Sequence, residues 1–167
     1  MIVNLRQIII IFKNYNMVTI DELKVLLDNK SRLLGIDMGS KRVGISICDE
    51  NRKIATPYKT VHYTDIKNFI SILKEIILEN NIKGIIFGLP LNMDGTEGPS
   101  AQSVKDKIHL IYKELKIHVT VWDERLSTVA SFKLSSQLDV NVSKKVKNID
   151  QNSAAFILQG VLDYLNK

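Results

Sequence analysis

Four acids in this 167-residue chain stand where apolar segments begin or end. Asp37 follows the run Leu33 to Ile36, Asp123 and Glu124 follow the alternating stretch Ile117 to Trp122, and Asp150 precedes the apolar pattern Ala154 to Leu165. A carboxylate on a core segment is costly unless it is paired or binds a cation. Each acid also has an ordinary explanation: Asp37 as a hairpin turn residue, Asp123-Glu124-Arg125 as a local ion pair, Asp150 as a helix N-cap. The chemistry open to them as a group is cation binding through oxygen. The single Cys48 excludes an internal disulfide, and His62, His109 and His118 are scattered without metal-ligand spacing, so any metal must rely on carboxylates.

The elements that must position these acids follow from periodicity. Leu33 to Ile36 and Val43 to Ile47 are β-prone runs separated by the Gly-containing segment Asp37 to Arg42, which reads as two antiparallel strands. Alternation puts Leu33, Gly35 and Asp37 on one face and Leu34 and Ile36 on the other. Ile54 to Val61, with Pro57 inside, reads as an irregular or edge strand. Asp65 to Asn80 carries a helical stripe through Ile66, Phe69, Ile70, Leu73, Ile76 and Ile77. Lys83 to Phe87 is then a buried strand, joined to its parallel neighbour by a right-handed crossover.

The segment Gly88 to Pro99, GLPLNMDGTEGP, is a loop leaving a strand's carboxyl end, where α/β folds build their sites. Asn92, Asp94, Gly95, Thr96 and Glu97 are its candidate site residues. Pro99 opens a helix seamed by Val104, Ile108, Ile111 and Leu115, with Lys and Glu on its outer face. A fifth strand runs from Ile117 to Trp122. Ser127 or Thr128 caps a short helix, Ser135 to Asn148 is polar with Lys144, Lys145 and Lys147 clustered, and Asp150 begins the last helix. Residues 1–31 contain no Gly or Pro and end in a helical pattern of Ile20, Leu23, Leu26 and Leu27, with Thr19 and Glu22 at capping-box spacing. They are expected to form a helical extension packed outside a domain spanning 32–167, possible upstream start included at Met17.

Length and 45% hydrophobic content fit one domain with a proper core. No run approaches the length needed to span a bilayer, and the apolar run Ile8 to Phe12 is too short for a signal-peptide core. The expectation is a cytoplasmic protein without a membrane partner. A net charge of +5 is compatible with a nucleic-acid partner without demanding one.

The order βββαβαβα, with acids at the first strand, the end of the fifth and the head of the last helix, is the ribonuclease H-like arrangement: α/β, with a five-stranded mixed sheet of three antiparallel then parallel strands flanked by helices. Four segments in register, GIDMGSKRVGIS, GLPLNMDGTEGP, WDERLST and DQNSAAFILQ, closely resemble the YqgF family, also called RuvX, of pre-16S rRNA nucleases or Holliday-junction resolvases. The resemblance covers about Leu33 to Lys167. It implies Asp37, Glu124 and Asp150 as catalytic acids, with Asp123 beside Glu124, and Lys41 and Arg42 as the family's Lys-Arg pair.

Two carboxylates about 4 Å apart repel by roughly 4 kcal/mol at an effective dielectric near 20, so three cannot stay ionised together without a cation. Hard oxygen donors favour Mg²⁺ or Mn²⁺. The expected site is a two-metal centre for phosphodiester hydrolysis, with Asp37 shared by both ions and Glu124 and Asp150 holding one each. Asp123 is the alternative ligand, disfavoured because neighbouring strand residues face opposite ways. Lys41, Arg42 and Arg125, with Lys144, Lys145 and Lys147 at the rim, are the phosphate-contact candidates. The expected substrate is the 5′ end of pre-16S rRNA in ribosome biogenesis; the alternative is a four-way DNA junction in recombination and repair. A monomer or a homodimer is compatible with the chain. A non-catalytic nucleic-acid-binding module is a remote alternative, as is an actin-like or sugar-kinase-like ATPase, for which the chain lacks a second domain.

Overall fold

The computed structural model describes residues 17–125 and 149–167, with residues 149–151 described as backbone alone. The expected helix after Ser127 or Thr128 and the lysines Lys144, Lys145 and Lys147 lie outside the described residues, as do residues 1–16.

Five strands form one sheet: β1 (Arg32–Met38), β2 (Arg42–Cys48), β3 (Ala55–His62), β4 (Ile82–Leu89) and β5 (His118–Asp123), in the spatial order β3-β2-β1-β4-β5. β1–β2 and β2–β3 are antiparallel; β1–β4 and β4–β5 are parallel. This is the mixed sheet expected. Pro57 lies in the edge strand β3, and the β2–β3 register shifts between Ile45 and Ser46, as a residue without an N–H requires of its ladder.

The helices are α1 (Ile20–Leu26), α2 (Ile66–Glu79), α3 (Pro99–Leu115) and α4 (Ile149–Leu165). Asp65 caps α2 by accepting from the Asn68 N–H at 2.9 Å, and Pro99 takes the first turn of α3, where its missing N–H costs nothing. Alternation along the strands divides the core into two layers. Leu34, Ile36, Val43, Ile45, Ile85, Phe87 and Val119 pack with α2 and α3 through Phe69, Leu73, Val104 and Ile108. Leu33, Cys48 and Ile86 pack on the opposite face with Ile157, Leu158, Val161 and Leu162 of α4. Among the described residues, no helix is long and apolar enough to cross a membrane.

The Thr19 capping box forms as the spacing predicts, with Thr19 N–H donating to Glu22 Oε2 at 2.7 Å and Glu22 N–H to Thr19 Oγ1 at 3.2 Å. The helix it starts is more than an outer attachment. Leu23 is fully buried in the α4 layer, and a Cβ on Gly84 would stand 3.0 Å from its Cδ1, so the bare backbone of β4 is what admits the leucine.

Candidate metal centre

β1 delivers Asp37. Leu33 lies in the α4 layer, Leu34, Ile36 and Met38 in the other, so period-2 alternation points the half-buried Asp37 toward the α4 side. On that face α4 touches the sheet directly at Gly35, where an added Cβ would stand 2.7 Å from the Ala154 carbonyl oxygen. The Ser46 hydroxyl donates to that same carbonyl at 2.8 Å, pinning the helix to β2. Farther along, Gln159 accepts from the Ala55 N–H and donates to the Lys53 carbonyl, and Asn166 donates to the Arg52 carbonyl. These contacts fix α4 antiparallel to β1. From the Gly35–Ala154 crossing, two residues onward to Asp37 advance about 6.6 Å, and four residues back to Asp150 about 6 Å, in the same direction. The backbone of Asp150 therefore stands at the end of the sheet where β1 finishes. The helix is described from Ile149, so the Asp150 backbone lies in its first turn.

Glu124 arrives from the other side. Phe87 of β4 is opposite Ile36 of β1, so Gly88, the next residue, is level with Asp37. A Cβ on Gly88 would collide with the Glu124 carboxylate and with Ile157 Cδ1 of α4. Gly88 thus provides the floor on which the Glu124 side chain lies, a role not recognised from the sequence, although a glycine closing a buried strand is the kind of signal that could have revealed it. Burial pushes the Glu124 carboxyl up to about 7, with the charge of Asp37 and then that of Asp123 adding to the effect. Asp37 and Glu124 are electrostatic neighbours, from residues 87 positions apart in sequence.

Asp123 is placed differently. It accepts from Arg125 at four points: the backbone N–H at 3.0 Å, Nε at 3.0 and 3.1 Å, and the terminal guanidinium nitrogen at 2.6 Å. Arg125 also donates to the Met93 and Asn92 carbonyls at 3.2 and 3.4 Å. It braces the strand end against the loop. Lys41 is exposed in the β1–β2 turn and Arg42, also exposed, opens β2, and the Tyr63 hydroxyl steadies the turn through the Gly39 carbonyl at 3.3 Å.

The Gly88 to Pro99 loop is ordered by its own side chains. Asn92 N–H donates to the Thr96 carbonyl and Gly95 N–H to the Asn92 carbonyl, Asp94 accepts from the Thr96 N–H and hydroxyl, and Leu91 bridges Glu97. Asp94, held by Thr96, lies below the usual carboxylate range. Glu97 pairs with Lys105 of α3, which is buried, although the sequence reading assigned the lysines of that helix to its outer face. Lys105 stands four residues after the buried Ala101, so its spacing allows burial, but the loop partner that makes a buried lysine tolerable is not visible in the spacing.

Among the described residues, no group of three His, Cys, Asp or Glu side chains stands close enough to hold a metal. Asp37 and Glu124 supply two carboxylates, and the backbone puts Asp150 at the same sheet end. A hard divalent cation fits this donor set: two like-charged carboxylates, one of them largely desolvated, lie together, and the one thiol, Cys48, is buried at the far end of β2.

Residues 31–164 match the family model described as RuvX, Holliday junction resolvase. The chain belongs to the RuvX family. A relative from Pelagibacter ubique named "Putative pre-16S rRNA nuclease" is 59% identical over 150 residues, covering 90% of this chain and 99% of its own. A relative of the same name from Ruegeria pomeroyi is 39% identical over 147 residues, covering 88% and 96%. Among solved structures, Thermus thermophilus RuvC in complex with a Holliday junction substrate superimposes with a TM-score of 0.54 at 8% identity, over 82% of this chain and 97% of that one. That likeness establishes that RuvX and RuvC share the ribonuclease H-like fold.

Proposed function

We propose that this RuvX chain is a metal-dependent endonuclease that hydrolyses phosphodiester bonds at the 5′ end of pre-16S rRNA. The observation that carries the reading is the Glu124 carboxylate, desolvated over Gly88 beside Asp37, at the sheet end reached by the first turn of α4. A protein keeps like charges together at such a cost only where a cation or a reaction uses them. Asp37, Glu124 and Asp150 would hold Mg²⁺ or Mn²⁺, with Asp37 central between the other two. When bound, the ions supply charge neutralisation and Lewis acidity for in-line displacement at phosphorus.

The chain's own residues contribute orientation and charge. The Ser46 and Gln159 contacts fix α4, and hence the Asp150 backbone, against the sheet; Gly88 fixes the path of Glu124. Lys41 and Arg42, both exposed, would meet the phosphates flanking the scissile bond, with Lys144, Lys145 and Lys147 extending that contact. RNA trimming needs only a monomer.

A four-way DNA junction is the second reading, favoured by the description of the family and by the fold shared with RuvC. Paired cuts in a junction would need a symmetric dimer. Side-by-side cleavage of a precursor 16S 5′ end and a synthetic junction, in Mg²⁺ and in Mn²⁺, separates the two. Specific cleavage of the precursor alone is the expected result. Symmetric nicking of the junction with the precursor untouched would replace it with the second reading, and binding without cleavage of either would reduce the chain to a binding module.

A further inference from the structure

We infer that Arg125 is a positioning residue: it holds the loop from Leu89 to Gly98 as a fixed arm beside the acid pair, and Asp123 serves as its anchor and not as a metal ligand. This deepens the nuclease reading and rests on it for the kinetic part of its test.

The guanidinium is divided between two tasks. Its Nε and one terminal nitrogen face both carboxylate oxygens of Asp123, while the other terminal nitrogen reaches the Asn92 and Met93 carbonyls. Charge-assisted bonds in a planar fork are the strong kind, and an ammonium cannot reproduce them. Gly95 is shaped to the same group. Its φ of +86° is a conformation that L side chains rarely adopt, and a Cβ there would stand 3.5 Å from the guanidinium.

The other leg of the loop is tied to α3, where Glu97 pairs with the buried Lys105. Between the two ties, the Asn92–Thr96 and Asn92–Gly95 backbone bonds at 2.9 and 2.8 Å close the turn. Met93 is 91% exposed at its tip. A turn closed by its own bonds and tied at both legs is an arm held in place, not a lid that must close. It projects from the carboxyl end of β4, the end at which Gly88 supports Glu124, so nucleic acid laid across the acids meets it. Both Asp123 oxygens receive Arg125 donors, so a cation bound there would have to compete with that fork.

The test compares Arg125→Ala, Arg125→Lys and the milder Asp123→Asn in the full-length protein. Amide exchange at Gly95 and Thr96 should accelerate about tenfold or more in both Arg125 variants, because the ties to Asn92 and Met93 are lost. KM for the RNA precursor should rise about tenfold with kcat within about threefold, the signature of lost binding rather than lost chemistry. Arg125→Lys carries the decision. A direct phosphate contact would tolerate lysine, so near wild-type KM and unchanged loop exchange in that variant overturn the proposal. For Asp123→Asn, the Mg²⁺ concentration giving half-maximal cleavage should stay at the wild-type value, and a marked increase would make Asp123 a ligand after all. If the wild-type protein cleaves no nucleic acid, the nuclease reading falls, and the exchange measurement still decides the role of Arg125.

Discussion

At the scale of single residues, the consequential pair is Asp37 and Glu124. Asp37→Asn should reduce cleavage by at least about a thousandfold, as loss of a metal-bridging acid would, while nucleic-acid affinity stays near wild type. A fully active variant would remove Asp37 from the site. Glu124 makes a separate prediction about pH. Its folded carboxyl stands at about 7 against an ordinary 4.5, so folding favours the protonated form. The stability it allows is fully present below pH 4.5 and is lost as pH rises toward 7. Asp28, Asp49, Asp65 and Asp94 are shifted the other way, so their contributions are lost only as pH falls below about 4, and the two windows do not overlap. Metal-free protein should therefore melt at a lower temperature at pH 8 than at pH 5, Glu124→Gln should flatten that slope, and millimolar Mg²⁺ should raise the melting temperature more at pH 8. An unchanged slope in Glu124→Gln would detach the effect from this residue. Gly88→Ala should destabilise by about 1–3 kcal/mol, because its methyl and the Glu124 carboxylate claim the same space, and should depress cleavage with it.

At the scale of elements, the alternation of β1 was legible because one face is apolar and the other carries Gly35 and Asp37; a strand has only two faces to choose between. The capping box before α1 and the proline opening α3 were legible for similar reasons, since each is a local bond or a missing donor. What could not be read locally was pairing across elements. Lys105 falls on the buried stripe of α3, four residues after Ala101 and three before Ile108, but its charge reads as exposed until Glu97 is seen to meet it from the loop. Arg125 has the composition of a phosphate ligand, and no spacing in the sequence shows its ties to Asp123 and to two loop carbonyls. Leu23 looked like part of an appended helix, yet it fills the space left by Gly84. Leu23→Ala should cost about 2–5 kcal/mol in urea unfolding, the usual range for a fully buried leucine, and a cost below 1 kcal/mol would return α1 to the periphery.

At the scale of the whole molecule, an excess of five positive charges bears on association rather than fold. If Lys41 and Arg42 each neutralise a phosphate, the slope of log affinity against log salt should fall by about one unit per lysine or arginine replaced by alanine, on either RNA or DNA. Unaltered slopes would move the contact surface elsewhere. The candidate acids come from β1, the end of β5 and the first turn of α4, so no contiguous piece of the chain contains them.

Docking of α4 ties the core and the site together. Among the described residues, α4 packs over Leu33, Ile86 and the Gly35 crossing while bringing the Asp150 backbone to the sheet end. A chain lacking residues 149–167 would thus lose the α4 cover of that apolar face and carry only two of the three proposed acids. Cover and site coincide: docking one seventeen-residue helix closes a layer of the core and completes the proposed acid set. Synthesised without residues 149–167, the chain should bind hydrophobic dye and cleave nothing until that segment is supplied.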